Sequence, residues 1–137
     1  MPSKAKHIEK AKRSEAALSR FDFEPDLYEW YLTVSFYAAV HWLRAYFAAA
    51  GLYAGEREET TYEDFPRVVS SVYRAAHRSD FGPASKMLDA FTDLKRLSQR
   101  ARYGCLPPAW YARQTGGADA ALKAVRAFVE SEGIETR

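Results

Sequence analysis

Apolar positions in this chain recur at helical spacing, and no stretch alternates apolar and polar residues at period two. Ile8, Ala11, Ala17, Leu18 and Phe21 make a modest stripe on a charged segment, which predicts a helix over about 4–21. A second helix is expected from Pro25 to Gly51. Proline suits a first helical turn, where its missing N–H is no loss, and Asp26 and Glu29 complement the positive end of the helix dipole. Gly51 is a good left-handed C-cap residue. The middle of this segment is apolar nearly all round, which places it at the centre of the molecule.

Residues 51–60, GLYAGEREET, read as a loop. Thr61, Asp64 and Pro66 mark the start of a third, shorter helix carrying Val68, Val69, Val72 and Tyr73. SDFGP at 79–83 interrupts the chain before a fourth helix over about 83–103, with Met87, Ala90, Leu94, Leu97 and Ala101 on one face and Gly104 as its stop. Residues 104–117, GCLPPAWYARQTGG, read as an ordered loop because they hold Trp110 and Tyr111. The last helix, about 118–131, uses Ala121, Leu122, Val125, Phe128 and Val129, and Gly133 closes it. The expectation is an all-α, antiparallel up-and-down bundle of four to five helices, forming a single domain over residues 1–137.

Composition narrows the chemistry. Apolar residues at 47% and aromatics at 15% supply a real core, which a disordered chain would lack. Cys105 is the single cysteine, so no internal disulfide can form, which fits a reducing, cytoplasmic setting. The first twenty residues contain no apolar segment of signal-peptide type. The uncharged run at 30–43 is too short to span a bilayer and ends at Arg44, so no membrane partner is expected. The absence of CxxC, HExxH, paired ExxH and GxxxxGK patterns predicts no metal and no cofactor. A serine nucleophile would lack a G-x-S-x-G elbow.

Charge is unevenly spread behind a net value of only +2. From Asp22 to Asp64 there are nine acids against Arg44 and Arg57. From Leu94 to Ala118 there are none, while Lys95, Arg96, Arg100, Arg102 and Arg113 are present. The basic segment suits a polyanion, or the acidic surface of a second copy.

Two constellations are candidates for a site. Thr33, Tyr37, His41 and Arg44 share one helical face, a narrow polar line on an apolar rod. It is either a seam of internally satisfied hydrogen bonds or the border of a cleft, where His41 serves acid–base work and Arg44 meets phosphate. Arg96, Arg100 and Tyr103 share an outward face of the fourth helix, and Arg102 projects toward its apolar edge near Phe91. Solvated arginines explain this pattern, and so does single-stranded RNA binding, with arginines on phosphates and Tyr103, Trp110 and Tyr111 stacking on bases. His7, in a basic first turn, reads as solvated, and His77 as a helix-end residue.

WYLTVSFYAAVHWLRAYFAAAG at 30–51 and LKRLSQRARYG at 94–104 resemble the HEPN domain family. The resemblant features are Glu29-Trp30, Phe36-Tyr37-Ala38-Ala39-Val40-His41, and Ser98 with Ala101-Arg102-Tyr103, and the likeness covers roughly residues 5–130. It implies a helical bundle, commonly homodimeric, in a toxin–antitoxin or defence context. Many such domains are metal-independent endoribonucleases, while others are binding domains, often beside a nucleotidyltransferase or an antitoxin. The family's RNase signature has an arginine followed by a histidine at short spacing. Here Arg96 and Tyr103 fit that pattern, but Ala101 stands where the histidine belongs.

The expected role is therefore binding of nucleic acid or nucleotide without the standard RNase motif, through Tyr37, Arg96, Arg100, Tyr103, Trp110 and Tyr111. One alternative is an endoribonuclease with a displaced histidine, His41, assisted by Arg44 and Arg102. Another is a helical protein-interaction or scaffold module.

Overall fold

The computed structural model describes residues 4–21, 27–52, 61–77 and 80–137. They form α1 (Lys4–Leu18), α2 (Tyr28–Ala49), a 3-10 turn (Tyr62–Asp64), α3 (Phe65–Ala76), α4 (Gly82–Tyr103) and α5 (Pro108–Ser131). The described residues contain no strand, and the molecule is an all-α bundle as the periodicity requires. The expected helix start at Pro25 and most of the 51–60 loop lie outside the described residues. No helix among them is long and apolar enough to cross a membrane.

The centre is α2, which packs against α1, α3, α4 and α5. Its buried residues include Leu32, Phe36, Ala39, Trp42, Leu43 and Phe47, which together occupy most of its circumference. Phe36, Phe47, Phe65 and Phe91 form a continuous ring cluster, with centroids 5.5 Å apart for Phe36–Phe91, 5.6 Å for Phe65–Phe91 and 5.0 Å for Phe47–Phe65. Edge-to-face and offset pairs of this kind add to the area term. The chain reverses at residues 104–107, so α4 and α5 run antiparallel: Arg100 meets Trp110, while Met87 and Phe128 share a wall further along. Likewise α2 runs against α4, with Trp30 beside Ala101 and Phe36 beside Phe91.

The first helix is held by more than its stripe. His7, Ala11 and Leu18 are buried against the bundle. Glu15 accepts a 2.7 Å hydrogen bond from the indole Nε1 of the fully buried Trp42 and a 2.8 Å bond from Arg126 of α5. One carboxylate thus ties α1 to both α2 and α5.

Glycine sets two helix ends. Gly51 has φ +80°, the Gly51 N–H donates to the Ala48 carbonyl at 3.0 Å, and Leu52 N–H donates to the Phe47 carbonyl at 3.2 Å. Gly133 repeats the arrangement at φ +95°, with Ile134 N–H on the Val129 carbonyl at 3.1 Å and Ile134 buried. Both are Schellman ends, where a left-handed residue satisfies the last carbonyls.

Residues 104–117 depart from expectation. Only the first four are non-helical, and α5 starts at Pro108, ten residues earlier than the pattern suggested. Pro107 is extended and Pro108 occupies the first turn, where neither proline needs an N–H. Gly116 and Gly117 then sit inside the helix, which tertiary packing of Tyr111 on one side and Ala118 on the other carries through them. A Cβ built at either glycine meets nothing within 4 Å.

Two expected outcomes follow from these features. Gly116→Ala and Gly117→Ala each raise stability by about 0.5–1 kcal/mol, while Gly133→Ala lowers it by about 1 kcal/mol, read from urea midpoints. Glu15→Ala, which strands the buried Trp42 N–H, costs about 1–3 kcal/mol in the same assay, whereas Glu9→Ala on the exposed face of α1 costs less than about 0.5 kcal/mol.

Candidate functional site

The polar line of α2 occupies the helix's least covered side. Thr33 is buried and its hydroxyl donates to the Glu29 carbonyl at 3.1 Å, so it is locally satisfied. Tyr37 is 37% exposed. His41 and Arg44 are half-buried. Trp30, seven residues before Tyr37 and on the same side of the helix, is 53% exposed.

His41 turns toward α1, where it meets a partner absent from the sequence reading. His7 is buried rather than solvated, and its Nδ1 lies 3.1 Å from the Nδ1 of His41, with the rings stacked at 5.3 Å. At that distance one Nδ1–H donates and the other Nδ1 accepts. The signal was present in the spacing: His7 stands four residues before Ala11, on the stripe that buries α1. Its charged neighbours masked it.

Arg44 turns elsewhere, with its guanidinium 5.8 Å from the centroid of Phe65 at the start of α3. Arg102 is half-buried at the end of α4. It donates to the Tyr37 hydroxyl at 3.0 Å and to the Ser98 carbonyl at 3.3 Å, and its guanidinium lies 5.8 Å from the Tyr37 ring and 5.4 Å from the Tyr103 ring. The three residues considered for catalysis thus have different neighbours: an imidazole, a phenyl ring and a pair of phenols.

The structure does assemble an aromatic–cationic surface at the end of α4. Tyr103 is 79% exposed, and it shares a helical face with exposed Arg96 and Arg100. Arg100 lies 5.7 Å from the Trp110 ring of α5. From α5 to α2 the order is Trp110, Arg100, Tyr103, Arg102, Tyr37, so rings and guanidinium groups alternate. Beyond Arg102 lies a hollow of about 210 Å³ bounded by Glu29, Trp30, Thr33, Ala101 and Arg102. Trp30 and Glu29 therefore join a surface to which neither was assigned, and the seven-residue step from Trp30 to Tyr37 is the sequence signal for the former. Ser98, fully buried one turn before Arg102, has a hydroxyl with no protein partner.

Two assigned residues have protein partners of their own. Tyr111 is buried, and its hydroxyl donates to the Gly104 carbonyl at 2.9 Å and accepts the Leu106 N–H at 3.3 Å. Its ring is a clasp for the 104–107 turn and presents no face to a base. Arg96 makes a 3.3 Å surface pair with Asp93, an interaction worth little in water. Lys95 likewise pairs with Glu63. His77 ends α3, as anticipated: its N–H donates to the Tyr73 carbonyl at 2.8 Å. Among the described residues, no group of three or more His, Cys, Asp or Glu side chains could hold a metal ion.

Comparison of the chain with protein-family models, curated proteins and solved structures finds no match. The chemistry of the surface must speak for itself.

The clasp and the surface separate experimentally. Tyr111→Ala should cost about 3 kcal/mol or more in a urea titration, as loss of a buried aromatic does, while Tyr103→Ala stays within about 0.5 kcal/mol of the parent.

Proposed function

We propose that this chain is a HEPN-like binding domain for single-stranded RNA or nucleotide, in a toxin–antitoxin or defence setting, and that binding rather than cleavage is its primary role. The observation that carries the reading is the alternation of Arg100 and Arg102 with Trp110, Tyr103 and Tyr37 across one surface. Guanidinium groups meet phosphates and exposed rings stack on bases, which is the combination single strands require. The Arg102–Tyr37 hydrogen bond pre-orients that guanidinium, so less side-chain freedom is lost when an anion arrives. Ala101, at the position of the missing histidine, lines the adjoining hollow and offers no proton-transfer group.

A second reading draws on the His7–His41 contact. It orients the His41 ring, as a general base needs, which keeps a displaced-histidine RNase with Arg44 and Arg102 in view.

Filter binding of a mixed-sequence single-stranded RNA across a salt series, in EDTA, tests both. Affinity should fall linearly with salt on a log–log scale, and Arg102→Ala should reduce the slope by about 0.7, one phosphate contact. Tyr103→Ala should weaken binding by about 1–3 kcal/mol without altering the slope. No binding at low salt, or variants indistinguishable from the parent, would sink the binding role. Cyclic-phosphate products that vanish in His41→Ala would replace it with the nuclease.

A further inference from the structure

Three helices end around one recess. It measures about 460 Å³ and is lined by Ala49 and Ala50 at the end of α2, Ala75 and Ala76 at the end of α3, and Glu132, the C-cap of α5. Leu52 and Val72 complete apolar walls. The recess lies about 28 Å along α2 from Trp30, at the opposite end of the bundle from the aromatic–arginine surface.

Its electrostatics are one-sided. Each helix C-terminus carries roughly half a negative charge, and proteins usually answer it with Lys or Arg in the last turn. Neither α2 nor α5 has a basic residue there. Arg74 of α3 is directed to Phe81 instead, with its guanidinium 4.6 Å from that ring. A carboxylate, Glu132, is placed where a cation is favoured. His77 contacts it at 2.8 and 3.1 Å and fixes its orientation.

A second, independent feature marks the same wall. Tyr46 is 5% exposed, lines the recess, and its buried hydroxyl has no protein partner. An unpaired buried hydroxyl is a stability cost that a phenylalanine would remove. Burial first, and then the charge of Glu132, pushes the Tyr46 phenol well above its ordinary value, and Tyr73 rises for the same two reasons and through Asp80. Both phenols therefore stay neutral beside the carboxylate.

We propose that this recess binds a small organic ammonium ion, with its apolar body against Leu52, Val72 and Ala76 and its charged head at Glu132 and the Tyr46 hydroxyl. The volume is that of a small-molecule site, apolar with few convergent polar groups. Among the described residues only Arg74 of α3 and His77 answer these helix ends and the carboxylate, so an ammonium group adds the positive charge that the ends of α2 and α5 lack, and an N–H for the unpaired Tyr46 oxygen. A neutral alcohol of the same length satisfies only the walls, and a carboxylate is repelled.

Calorimetric titration of the full chain with hexylammonium chloride, hexanol and sodium hexanoate tests this. Hexylammonium should saturate one site, bind about tenfold or more tightly than hexanol, and outcompete hexanoate entirely. Glu132→Gln and Tyr46→Phe should each weaken hexylammonium about fivefold or more and leave hexanol unchanged. Tyr46→Phe removes the unpaired hydroxyl, so this variant stays folded and its binding loss is read on intact protein, checked by circular dichroism. Equal binding of the ammonium and the alcohol, preference for hexanoate, no binding of any probe, or full affinity in both variants would overturn the proposal. None of these outcomes bears on RNA binding at the other end of α2.

Discussion

A 22-residue helix that is apolar around most of its circumference has to be covered on several sides at once, and α2 imposes that requirement on the rest of the chain. No single partner helix can shield such a rod. Four others lie against it, and their own apolar faces are narrow enough to leave charged residues outward. The ring cluster from Phe36 to Phe47 by way of Phe91 and Phe65 shows how the cover is fitted: α2 contributes both ends and its neighbours fill the middle. The small residues Ala38, Ala39 and Ala45, all fully buried, let the covering helices approach closely.

Covering a central rod leaves gaps at its two ends, and both gaps carry chemistry. Near the start of α2 the last turn of α4 leaves Trp30 and Tyr37 open, and Arg102 bridges the edge. Near its finish, the ends of α3 and α5 stop short and enclose the apolar recess beside Glu132. One end presents positive charge among aromatic rings, the other negative potential among alanines.

The helical class and the centrality of α2 were legible in the sequence because periodicity and burial obey the same geometry. Gly51 and Gly133 were legible as helix ends because a left-handed residue there has a strong chemical preference. Pro107-Pro108 and Gly116-Gly117 misled for the opposite reason. Local breaker chemistry argued for a loop, and packing of Tyr111 and Ala118 overrode it. Of the site, the arginines at the end of α4 could be found from charge and spacing, and so could the outward placement of Tyr103. The role of Tyr111 could not, since a clasp to Gly104 is a matter of which way one ring turns. His7 was hidden because the charged residues around it, Lys4, Lys6, Glu9 and Lys10, say nothing about the side facing inward.

The glycine pair inside α5 divides a 24-residue helix into two mechanically unequal parts. The longer part, from Ala118 onward, is anchored in the core through Leu122, Val125 and Val129. The shorter part carries Trp110 and is fastened chiefly by the Tyr111 clasp. Helix propagation through two adjacent glycines is weak, so the two parts are poorly coupled in stiffness. The Trp110 turn is consequently held in place by the Tyr111 clasp and by its own packing on the core rather than by helix continuity through the glycines.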